Sequence, residues 1–99
     1  MKWSDLQEWA EVDALPLAVE LAEDPPKPWS IQRTCELRLV EWFGTDEWHA
    51  KSLKEQSILT SVLAWKLAEK ICEGYAYLGR GWNTAYMNEL RRLYEEENA

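Results

Sequence analysis

The sequence predicts an all-α protein: a compact helical domain of about five helices with one long central helix. Three observations lead there. No stretch of strict polar/apolar alternation is long enough to argue for a strand. Apolar residues recur at helical spacing along most of the 99 residues. Glycines and prolines fall where helices would begin or end. The length fits one domain. With 46% hydrophobic and 29% charged residues, the chain has globular rather than disordered composition.

The elements follow in order. Ser4 and Gln7 have capping-box spacing, which predicts a short helix over 5–12 with Leu6, Trp9 and Ala10 inward. Asp13 is placed to cap a second helix to about Glu23, with Pro16 in its first turn, where a missing N–H costs little. Asp24-Pro25-Pro26-Lys27-Pro28 then breaks the helix into a stiff, extended connector. Ser30 is expected to cap a third helix over 31–43, ended by Gly44. Thr45 to Trp48 reads as a turn or short helix. Ser52 and Glu55 form a second capping box.

From Leu53 to Leu78 the helical pattern is unbroken. Leu59, Leu63, Leu67, Ile71 and Tyr75 make one stripe at i, i+4 spacing, and Ile58, Val62, Trp65 and Cys72 an adjacent one. Only Lys66, Glu69, Lys70 and Glu73 form a polar strip. A helix apolar around most of its girth is buried on several sides. In so short a chain that means a central helix or a subunit interface, so the Leu59–Tyr75 stripe is the candidate surface for homo-oligomers or a partner. Gly79-Arg80-Gly81 turns the chain into a last helix over 83–97.

Charge is uneven. Residues 1–26 carry one base, Lys2, against Asp5, Glu8, Glu11, Asp13, Glu20, Glu23 and Asp24, a net of −6. Residues 27–94 are +2, and Glu95-Glu96-Glu97 follows. The chain thus divides into an acidic helical arm (1–26) and a helical body (27–99) within one domain. A monomer with this balance should bind DNA poorly; DNA contact is expected only in an oligomer, where Arg80, Arg91 and Arg92 would be repeated. No apolar run approaches the ~18 residues of a membrane span. The acid-rich start is unlike a signal peptide, so the expected location is the cytoplasm, with no membrane partner.

Residues suited to catalysis are scarce. His49 is the one histidine, and Cys35, Cys72 and His49 lack zinc-site spacing. Both cysteines lie on apolar stripes, where a thiol is inert. No phosphate-binding glycine loop occurs. No catalytic residue, metal or cofactor is expected, and the chain reads as a non-enzyme. The odd feature is seven tryptophans. Trp42 and Trp65 read as core, whereas Trp3, Trp29, Trp48 and Trp82 lie near helix starts or in connectors, where indoles serve either as corner packing or as partner contacts.

Residues 28–93 also show an ordered pattern: Pro28-Trp29, Trp42-Phe43, Trp48, the Leu59–Leu67 segment with Ala64 and Ala68, and Glu89-Leu90-Arg91-Arg92-Leu93. In this order the chain resembles the short terminase small subunits of actinophage type, which take part in viral DNA packaging. It departs from them in lacking a Gly-Leu-x-Pro segment, and its acidic arm is not a helix-turn-helix. The resemblance implies a non-enzymatic viral protein that oligomerises through the Leu59–Tyr75 stripe. It would contact DNA phosphates or a partner with Arg80, Trp82, Arg91 and Arg92, and hand DNA to the terminase large subunit in the host cytoplasm. The acids support an alternative of another class: a DNA-mimic or anti-CRISPR-type inhibitor presenting carboxylates to a host nucleic-acid-binding complex.

Overall fold

The structure, a computed structural model, describes residues 3–72 and residue 92. Every regular element among the described residues is helical. The chain begins with α1 (Trp3–Trp9), passes through a π-helical turn (Ala10–Ala14) and continues as α2 (Leu15–Ala22). A 3-10 turn (Pro28–Ser30) leads into α3 (Ile31–Phe43), followed by α4 (Thr45–Ala50) and the long α5 (Leu53–Cys72). The turn expected at 79–81 and the helix expected over 83–97 lie outside the described residues, save Arg92, which is helical and exposed.

The two helices expected from the N-terminal sequence form one rod. Ser4 already lies inside α1, and Asp13 lies inside the π turn rather than at a cap. Two features of the sequence call for the wider turn. Leu6, Ala10, Ala14, Ala18 and Ala22 recur every fourth residue. In a helix of 3.6 residues per turn such a row drifts by about 40° at each step. A π turn, with its larger ring, cancels part of that drift and keeps the row pointed inward. Pro16 adds the second reason, because its ring would clash with the carbonyl four residues back, at Val12. Instead the Leu15 N–H donates to the Ala10 carbonyl, five residues back.

The proline segment is irregular, and Lys27 has extended backbone (φ −66°, ψ 151°). Ser30 does not cap α3. Its hydroxyl donates backwards to the Lys27 carbonyl at 3.0 Å, closing the 3-10 turn. Gly44 has φ +92° and ψ 147°, a region essentially restricted to glycine. There its N–H donates to the Val40 carbonyl (3.0 Å) and its carbonyl accepts from the Trp48 N–H (2.9 Å), ending α3 and starting α4 in one residue. The capping serine of α5 behaves as expected, with Ser52 Oγ accepting from the Glu55 N–H at 3.0 Å. Gln56 Nε2 then donates to the carbonyls of Trp48 (2.8 Å) and Lys51 (3.3 Å), tying the end of α4 to the first turn of α5.

α5 is the centre. It packs against α2, α3 and the π turn. Leu6, Trp9, Ala10, Ala14, Leu17 and Ala18 come from the N-terminal rod, Ile31, Cys35 and Leu39 from α3, and Trp48 from α4. The acidic arm is therefore a wall of the core. Leu59, Leu63 and Leu67 are each 0% exposed in the single chain. This corrects the expected intersubunit stripe at those three positions: α5 is apolar around its girth because elements of its own chain surround it. Ile71 is half-buried against the same core, and Tyr75 lies outside the described residues.

Candidate functional site

Most acids of the N-terminal rod lie on its exposed side, and Glu11 alone of the set reaches across to α5 among the described ion pairs. Asp5, Glu8, Glu11, Glu20, Glu23 and Asp24 are exposed and Asp13 is half-buried. Residues 3–26 contain no Lys or Arg, so compensation comes only from elsewhere in the chain. Glu11 and Glu20 are tied to the body. Glu11 Oε1 lies 2.6 Å from Lys66 Nζ on α5. Glu20 pairs with Arg38 on α3, which also reaches Glu41 at 3.9 Å. Glu8, Asp13, Glu23 and Asp24 form no ion pair with the described residues.

The rod's outer face is not purely acidic. Val12 is 61% exposed and Val19 48%. With exposed Pro16 between them, they continue the line Glu8–Val12–Pro16–Val19–Glu23, opposite the buried row. The last turn of α2 has no basic residue. Its terminal carbonyls carry the negative end of the helix dipole, and Glu23 and Asp24 add like charge there. That arrangement costs stability, and sequences break local rules of this kind most often at functional surfaces.

Beside this face, a groove of about 280 Å³ runs between the rod and α5, lined by Leu6, Gln7, Ala10, Glu11, Val62, Trp65 and Lys66. Lys66, expected on a solvated strip, has only 9% of its side chain exposed. Its ammonium sits 4.6 Å from the centre of the Trp65 ring, with Glu69 at 3.8 Å. The indole N–H groups of Trp9 and Trp65 are buried without a hydrogen-bond partner among the described residues.

The tryptophans are redistributed relative to expectation. Trp42, expected in the core, is 44% exposed, while its neighbours Leu39 and Phe43 take the inward positions at that end of α3. Its ring packs on Trp9 (centroids 6.3 Å) and edge-on to Phe43 (5.0 Å), which stacks on Trp48 (6.0 Å). Trp48, expected in a connector, is 2% exposed and is core. Trp65 is half-buried, and Trp29 is 84% exposed.

Cys35 is a free, fully buried thiol. Burial pushes its pKa up from 9.0 to about 12, which keeps it protonated and unreactive at neutral pH. Among the described residues no cluster of His, Cys, Asp and Glu could hold a metal ion. No helix among them is long and apolar enough to cross a membrane. Arg80, Trp82 and Arg91 lie outside the described residues. Compared with protein family models, curated proteins and solved structures, the chain matches none.

Two features escaped sequence reading. Lys66 was masked by Glu69, Lys70 and Glu73, which share its side of the helix in a simple wheel. Val12 falls on the outer side even of a regular helix whose inward positions are Leu6, Trp9 and Ala10, so that spacing was the signal that could have found it. Nothing in the local sequence signals the burial of Lys66.

Proposed function

We propose that this protein is a non-enzymatic binding protein that engages a basic, nucleic-acid-handling protein through its acidic N-terminal rod, as a DNA-mimic inhibitor would. One observation carries the reading: Glu8, Glu23 and Asp24 are exposed and form no ion pair with the described residues, on a rod that its own core residues hold to the body. Carboxylates fixed in this way attract a cationic surface without first ordering a flexible segment. The partner is a component of a viral or host machine that normally holds nucleic acid, in the cytoplasm.

The test uses an arginine-rich peptide as a stand-in for such a surface. Binding that weakens steeply between low and physiological salt supports the reading. Glu8→Gln with Glu23→Gln and Asp24→Asn should weaken it several-fold. Affinity indifferent to these changes would overturn the proposal.

A second reading, a DNA-packaging role of the small-terminase type, draws on Arg92 being helical and exposed. It requires a multimer that retains DNA, and loss of that retention in Arg91→Glu with Arg92→Glu. A monomer in light scattering would remove it.

A further inference from the structure

We propose that the outer face of the N-terminal rod, with Val12, Pro16 and Val19 at its centre and Glu8, Asp13, Glu23 and Asp24 around them, docks one amphipathic, basic helix of a partner protein. This rests on the acidic-surface reading above and names the partner's chemistry.

The face has the shape of half an interface. Val12 and Val19 are 61% and 48% exposed, on a rod whose opposite side supplies much of the core. Outward valines gain nothing for a helix in water, since β-branched side chains are mediocre helix formers. Their spacing, with Pro16 between, gives a narrow apolar line about two turns long, which matches the stripe of an amphipathic helix.

The charges choose among occupants. A second copy laid across this face by a two-fold axis would bring Glu8, Glu23 and Asp24 towards their own counterparts. An anionic membrane or a nucleic acid would be repelled by the same groups. A helix with Lys or Arg flanking an apolar stripe meets the valines and the acids together. It also neutralises Glu23 and Asp24 at the negative end of the α2 dipole, where the helix has no base of its own.

The experiment compares two synthetic peptides of identical composition, built from Leu, Ala, Lys and Arg. One has its leucines at i, i+3, i+4 and i+7; in the other the order is scrambled. The full chain should bind the amphipathic peptide at least ~10-fold more tightly at physiological salt. Val12→Ser with Val19→Ser should abolish that preference while the thermal midpoint stays within a few degrees. Glu8→Gln, Glu23→Gln and Asp24→Asn together should weaken both peptides and flatten the salt dependence. Equal binding of the two peptides, or a preference that survives the valine changes, overturns the docking face and leaves the acidic-surface reading standing. Binding of neither peptide overturns both.

Discussion

Lys66 Nζ lies 2.6 Å from Glu11 Oε1 and pins the π turn of the N-terminal rod to the long helix α5. The two ends of this contact are unlike: the Lys66 side chain is 9% exposed and that of Glu11 64%. The ammonium is therefore the group that depends on the contact. It has left water, and Glu11, Glu69 and the Trp65 face compensate it.

Removing the two partners should have opposite consequences. Glu11→Ala leaves a buried cation short of its nearest counter-charge and should cost about 1–2 kcal/mol, below the full buried-pair penalty because Glu11 itself is largely hydrated. Lys66→Met keeps the volume and removes the charge, and should be neutral or stabilising. Urea unfolding of both variants checks the asymmetry; a larger loss for Lys66→Met would contradict it.

Leu63 distinguishes a core from an interface. Leu63→Ala should destabilise the chain by about 2–5 kcal/mol, as expected for a cavity in a packed interior. It should leave the mass measured by light scattering unchanged. A shift in mass with little loss of stability would return this residue to an intersubunit role.

Cys35 should make stability fall at high pH. Its pKa is about 12 in the folded chain against 9.0 for an ordinary thiol, so its contribution is fully present below pH 9. As pH rises from 9 towards 12 the unfolded state loses the proton first, and stability should drop by about 1.4 kcal/mol per pH unit in that window. Cys35→Ala should remove this slope. In parallel, Cys35 should resist a thiol reagent in the native chain and react once unfolded.

Gly44 tests the corner between α3 and α4. A methyl group there would meet nothing within 4 Å, so any penalty comes from the backbone at φ +92°. Gly44→Ala should cost about 1–3 kcal/mol, read as a lowered thermal midpoint. An unchanged midpoint would mean that the corner relaxes without cost.

Much of the fold was legible because helix signals are local. The Ser52 cap, the Gly44 stop, α3 over 31–43 and the start of α5 at Leu53 each follow from a few neighbouring residues. The rod was legible only in part. Asp13 has the chemistry of a cap, but Ala10 and Ala14 must both face α5, and tertiary packing prevailed over the local preference. Lys66 failed for a related reason: whether a lysine is wet depends on what lies across from it, and Glu11 is 55 residues away. The acids of residues 1–26 were readable as a charged segment. That Val12 and Val19 would share their face was hidden by the break expected at Asp13, since positions seven apart line up only when one continuous helix carries both.

The π turn sets the rotational phase of everything upstream of it. Deleting a single residue between Ala10 and Ala14 would let the turn close as regular helix, and the lost residue and the lost widening nearly cancel, so Leu6 and Trp9 would stay on the core side. The same deletion elsewhere in the rod, with the wide turn kept, would turn everything upstream of it by about 100°. Homologous chains should therefore differ in length at this turn and nowhere else along the rod.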